Sequence, residues 1–151
     1  MNDNKAALTP RLVDSLYTES MLLADEARSY FDTRGREDRV DLDPFSRVAF
    51  SCESLRLTTR LMHISAWLLT QRALAAGEID EGQAGRPERR LGDRIEVDEA
   101  LVARLPEGAV SLIRASQDLF DRVLRVAEGQ LTDDPPPSPA RSLFGRLQRA
   151  F

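Results

Sequence analysis

Cysteine, histidine and tryptophan each occur once in this chain, as Cys52, His63 and Trp67. A single cysteine closes no internal disulfide, and no CxxC or HExxH spacing offers zinc a set of ligands. Cys52 and His63 lie eleven residues apart on one helical segment, about 16 Å along its axis, so they form no nucleophilic dyad there. Long apolar runs are missing as well. No stretch of 18 or more apolar residues is present, and MNDNKAALTP lacks the basic start and apolar core of a signal peptide, which leads to the expectation of a cytoplasmic protein. Positive charge is scarce: 21 basic residues against 25 acidic ones leave a net charge of −4, which argues against a general binder of nucleic acid. Gly82, Gly85 and Gly92 follow no strand and precede no GK[ST], so they make no phosphate-binding loop. The expectation is a chain with no catalytic residues, no cofactor and no metal.

What the sequence does have is helical periodicity. A chain of 151 residues, 42% hydrophobic and 30% charged, supports one domain with an adequate core. From Pro44 to Ala76 it runs without an internal Gly or Pro, opened by Asp43 as N-cap with Pro44 at the first helical position, and stopped by Gly77. This segment carries two apolar seams. Phe45, Val48, Cys52, Leu55, Met62, Ala66, Leu69 and Ala73 recur at heptad spacing on one, and Phe50, Leu57, Leu61, Ile64 and Leu68 on a neighbouring one. Two seams call for two neighbouring helices, with Cys52 read as a small core hydrophobe. The remaining stripe, Glu53, Arg56, Arg60 and His63 ending at Trp67, reads as exposed. It is either a solvated ion-pair stripe or a polar-rimmed interaction surface anchored by Trp67.

Around this central helix the chain falls into order. Residues 1–8 read as a frayed end, and Thr9 with Pro10 marks the start of a helix over 10–31 with one apolar face. Residues 32–43 read as a charged loop between antiparallel helices, and 77–98 as a longer, Gly-rich loop. Asp98 caps a short turn ended by Pro106, and a third amphipathic helix spans 107–130. The expected fold is all-α: an antiparallel, up-down-up three-helix bundle over residues 1–131 with a long central helix. LTDDPPPSP then reads as a stiff spacer that opens a flexible Pro-rich tail over 132–151. At its end Leu143, Phe144, Leu147 and Phe151 share one face of a short segment, opposite Arg141, Arg146 and Arg149. Such a segment suits a tethered recognition peptide, docking onto its own bundle, or a weak contact with an anionic membrane.

Two stretches carry a resemblance. YTESMLLADEARSYF (Tyr17 to Phe31) and ESLRLTTRLMHISAWLLTQRALAAGEI (Glu53 to Ile79) resemble the alphaproteobacterial family of the regulator of CtrA degradation, RcdA. The second is the more specific, joining Leu55 to Met62 with Ala66, Trp67, Leu68, Leu69, Gln71, Arg72 and Gly77-Glu78. The resemblance implies a non-enzymatic adaptor, homodimeric and cytoplasmic with a transient stay at a cell pole. It would work with the ClpXP protease, a CpdR-like response regulator, a PopA-like cyclic-di-GMP-binding protein and CtrA-type cargo. Glu53, Arg56, Arg60, His63 and Trp67, with the four apolar tail residues, are the expected protein-binding positions. The competing reading is a peripheral membrane-associated scaffold localised by the amphipathic tail.

Overall fold

Three long helices carry the fold: α1 (Asn2–Asp32), α3 (Pro44–Ala75) and α6 (Glu107–Leu131). Between them lie α2 (Arg34–Val40), α4 (Glu81–Ala84), α5 (Glu99–Val102) and a 3-10 turn at Pro87–Arg89, with no strand among the described residues. The computed structural model describes residues 2–131 with Leu147 and Ala150, and the side chains from Pro10 to Gly129 and at those two positions. The Pro-rich spacer, Leu143, Phe144 and Phe151 lie outside the described residues.

Local chemistry sets the ends of α3. The Asp43 carboxylate accepts the Ser46 N–H at 3.2 Å, and hydrogen bonding to Ser46 holds that carboxyl below its usual range. At the far end Gly77 takes a φ of +73°, a left-handed conformation that glycine adopts freely. That turn lets Glu78 N–H reach the Ala73 carbonyl at 2.9 Å and Gly77 N–H the Leu74 carbonyl at 3.1 Å, a Schellman closure of the last turn. Both boundaries fall where the sequence signals them.

Other boundaries differ. α1 begins at Asn2 and contains Pro10, so the Thr9–Pro10 pair does not open it. Pro10 stands about two turns inside the helix and is exposed, so solvent can take the place of the missing backbone donor. The stretch read as a loop over 32–43 folds instead into α2. Tyr30 holds it there: its O–H donates to Asp38 Oδ2 at 2.7 Å, and Gly35 packs so tightly on Tyr30 that a Cβ would stand 2.9 Å from the Tyr30 carbonyl oxygen. A helix pinned by one hydrogen bond and one glycine leaves no periodic apolar signal.

The largest difference concerns direction. Asp14 meets Arg72, Ser20 meets Ser65 and Phe31 meets Phe50, so α1 and α3 are antiparallel. Glu19 meets Arg122 and Tyr30 meets Gly108, so α1 and α6 are antiparallel too. It follows that α3 and α6 run parallel, and the alternating up-down-up order expected from the sequence is not the one adopted. The segment from Ala76 to Pro106 makes this feasible by returning along the length of the body. It passes Trp67 at Leu91, His63 at Gly92, Asp121 at Arg94 and Arg114 at Glu99. Thirty-one residues of mostly irregular chain reach well beyond the roughly 40 Å length of a 25-residue helix. Leu91, Val102 and Leu105 are buried along the way and anchor the return. The core sits between the three long helices, with Leu16, Leu57, Ile64, Leu68, Leu119 and Val123 almost wholly enclosed.

Candidate protein-interaction surface

The structure separates the residues expected on one exposed stripe of α3. Glu53 is 1% exposed, Arg60 2% and Trp67 6%, whereas Arg56 and His63 are exposed. The stripe therefore faces the packing with α6 and the returning segment, and three of its five members are interior. Arg60 Nη1 donates to Ser116 Oγ at 2.8 Å, and Ser116 Oγ donates onward to the Ile113 carbonyl at 2.8 Å, which ties α3 to α6 through a buried chain. Burial holds the Arg60 guanidinium below its ordinary value, and nearby Glu53 opposes that shift. It stays charged, because no protein environment brings a guanidinium near neutrality at ordinary pH. Arg56 Nη1 donates to Glu53 Oε1 at 2.6 Å from the solvent side. Glu53 Oε2 and Arg60 Nη2 are buried without a hydrogen-bond partner among the described residues, so this network is costly to desolvate and costly to break.

Trp67 lies beneath the returning segment, in a cleft with His63, Arg89, Leu91 and Gly92. Gly92, at a φ of +87°, brings its backbone to His63: a Cβ there would stand 3.6 Å from Nδ1. The aromatic expected as an anchor for a partner thus anchors the chain's own connection. Leu91, Arg94 and Ser116 belong to this assembly and were not singled out by sequence reasoning. A lone leucine in a glycine-rich loop and a serine in an amphipathic helix give no local sign of tertiary contact.

The heptad seam shows the reverse. Phe45 is 64% exposed, Leu55 68% and Met62 65%, with Val48, Leu69 and Cys52 exposed beside them. These residues were expected in the core, and Cys52 is not the buried hydrophobe expected of it. The physical reason is angular. At 100° per residue the core side of α3 centres on Phe50, Leu57 and Ile64, with α1 on one shoulder and α6 on the other. The seam lies on the far side, bordered by α1 only along Met62, Ala66 and Leu69. Between α1 and α3 opens a groove of about 740 Å³, lined by Met21, Ala24, Phe31, Met62, Ala66 and Leu69 among others. Contiguous exposed apolar surface of this kind marks interaction sites. In the tail, Leu147 is exposed.

Among the described residues no group of His, Cys, Asp and Glu is placed to hold a metal, and no helix is long and apolar enough to cross a membrane. The chain matches, over residues 4–151, the family model described as "Protein of unknown function (DUF1465)". No curated protein matches the sequence. Among solved structures, RcdA from Caulobacter crescentus CB15 is similar at 32% sequence identity, covering 82% of this chain and 92% of that one with a TM-score of 0.59.

Proposed function

The chain belongs to the RcdA family and to the family described as DUF1465, and from that premise we propose that it is a non-enzymatic adaptor for regulated proteolysis. The observation that carries this reading is the likeness to RcdA at 32% identity over 82% of the chain. The adaptor brings cell-cycle regulators of the CtrA type to the ClpXP protease, together with a CpdR-like response regulator and a PopA-like cyclic-di-GMP-binding protein. Its work is tethering: cargo held near the protease pore is present at a raised effective concentration, and no new chemistry is needed. The helical body works as a homodimer in the cytoplasm, and Leu143, Phe144, Leu147 and Phe151 form a tethered contact at the end of the spacer.

Burial sorts the contact residues on α3. Arg56 and His63 are exposed and available to a partner. Glu53, Arg60 and Trp67 act beneath them, holding the α3–α6 contact and the returning segment in the shape that a partner meets.

A reconstituted degradation assay tests the reading: ClpXP, a CpdR-like partner and a CtrA-type substrate, with the full chain or with residues 1–131. Faster degradation with the full chain, lost on truncation, supports adaptor function with a delivery contact in the tail. No acceleration with any cargo of the family ends it.

A further inference from the structure

The cleft over Trp67 stands out from the rest of the surface by its charge. His63, Ala66 and Thr70 of α3 form one wall, the enclosed Trp67 and Leu91 lie at its floor, and the returning segment supplies Glu88, Arg89 and Arg90 as a rim. Elsewhere on the body, arginines are matched by acids from other elements: Arg72 by Asp14, Arg94 by Asp121, Arg114 by Glu99 and Arg122 by Glu19. Arg86, Arg89 and Arg90, three basic residues in a run of five, hold no carboxylate among the described residues. The backbone fixes this rim in place. Arg89 N–H donates to the Arg86 carbonyl at 2.9 Å and Arg90 N–H to the Pro87 carbonyl at 3.3 Å, closing a 3-10 turn. Leu91, 5% exposed, anchors the chain directly after it, and Gly92 sets the backbone against His63. Guanidiniums held outward on a fixed turn can take a ligand without first giving up an ion pair.

We propose that this cleft receives an acidic segment of a protein partner, with one apolar side chain set against Ala66 and Leu91 and the neighbouring carboxylates on Arg89 and Arg90. The inference rests on the adaptor reading for the existence of a protein partner; the chemistry of the cleft selects the rest. A guanidinium holds a carboxylate through two parallel N–H donors, and adjacent arginines suit adjacent acids. Glu88 is the one carboxylate lining the cleft, so positive charge exceeds negative there. The net charge of −4 does not cancel this excess, because charges more than about 8 Å away are screened at physiological salt. A volume of about 260 Å³ suits a single side chain and falls below the roughly 300–1,000 Å³ of a small-molecule pocket. Trp67 is 6% exposed and offers no open ring face to a base, unlike the stacking platforms that bind single-stranded nucleic acid.

Trp67 is the only tryptophan, so its emission reports occupancy of the cleft in the full chain. The probe is the peptide acetyl-DELDE-amide, compared with acetyl-NQLNQ-amide, acetyl-DEGDE-amide, inorganic phosphate and a single-stranded oligonucleotide. The first should give a saturable change in emission, half complete below about 1 mM. An Arg89→Ser, Arg90→Ser double variant should bind it about tenfold more weakly or worse, with an unchanged helical circular dichroism spectrum. Arg90→Glu, at an exposed position, should weaken binding as strongly and decides the matter if the double variant loses helicity. Arg28→Ser on α1 should leave binding unchanged. No saturation at millimolar peptide, equal binding of the uncharged peptide, or equal binding by the double variant overturns the proposal. Tighter binding of phosphate overturns it in favour of a plain anion site, and tighter binding of the oligonucleotide in favour of a nucleic-acid site. Equal binding of the glycine peptide overturns the apolar contact. The degradation assay separates this claim from the adaptor reading. Full acceleration by the double variant keeps the adaptor and removes the cleft from delivery, whereas peptide binding with no acceleration by the wild type keeps the cleft and removes the adaptor.

Discussion

The two sides of α3 differ in the opposite sense from an ordinary amphipathic helix. Toward α6 and the returning segment it encloses Glu53, Arg60 and Trp67, a carboxylate and a guanidinium among them. Toward solvent it presents Phe45, Leu55 and Met62. What decides between them is where the neighbours stand. A charged group is tolerated inside when a partner waits there, as Ser116 does for Arg60, and apolar surface stays outside when no element among the described residues reaches it. Side-chain polarity sets the energy of each choice, and topology sets which choices exist.

The largest expected effects lie on the enclosed side. Arg60→Ala should lower unfolding free energy by about 3–5 kcal/mol, because it opens a cavity between α3 and α6, removes the charged donor to Ser116 and takes away a buried positive charge that attracts Glu53. A Glu53→Met, Arg60→Met double variant should recover much of that loss, and urea titration of the three proteins reads both. If Arg60→Ala costs under about 1 kcal/mol, the enclosed network is wet and the contrast between the two sides disappears. Trp67→Ala should cost about 3–5 kcal/mol by opening a cavity beneath the returning segment. Proteolysis should then cut that segment earlier than in the wild type.

At the end of the body where α6 begins, the fit is equally close. A Cβ on Gly108 would stand 2.4 Å from a ring carbon of Tyr30, so Gly108→Ala should cost about 1–3 kcal/mol by overpacking. The same tyrosine gives a pH signature. Burial first, and then the bond to Asp38, push its phenol from 10.0 up to about 12. The proton is therefore held more tightly in the folded state. Its stabilising effect is complete below pH 10.0 and is lost as pH rises toward about 12. Unfolding curves of Tyr30→Phe across that window should lack this component of the decline, and an identical decline in both proteins would exclude Tyr30 as its source.

The smallest effect belongs to the outward side. Leu55→Ser should change unfolding free energy by less than about 0.5 kcal/mol in urea titration, as for other exposed positions. A larger loss would mean that Leu55 contributes to the packing of the chain after all, and the two sides of α3 would be less distinct than their exposure indicates.

Much of the fold was legible in the chain, and the reasons are local. Asp43 with Pro44 and the left-handed Gly77 bound α3 through capping and backbone sterics, which need only a few neighbouring residues. Asp98 caps α5 in the same way, its carboxylate accepting from Ala100 and Leu101 N–H. α2 escaped because Tyr30 and Gly35 hold it through tertiary fit, and α1 runs through Pro10, which sits exposed about two turns inside it. Of the stripe expected to be exposed on α3, Glu53, Arg60 and Trp67 are enclosed, while Arg56 and His63 are exposed. Both apolar seams of α3 have the period of a packed face, and Glu53, Arg56 and Arg60 have the spacing of a solvated stripe. Periodicity reports that a face exists without reporting what lies against it.

The sequence by itself determined the all-helical class, the ends of α3 and a seam with coiled-coil spacing, because helix periods and caps are written in residues within a turn or two of one another. Only the tertiary structure decided that α3 and α6 run parallel, that the segment between them returns along the body, and that Arg60 is enclosed while Leu55 is not. Those outcomes depend on contacts between residues far apart in the chain, such as Arg60 with Ser116 and Arg94 with Asp121, and the energy of such contacts exists only once the helices have met.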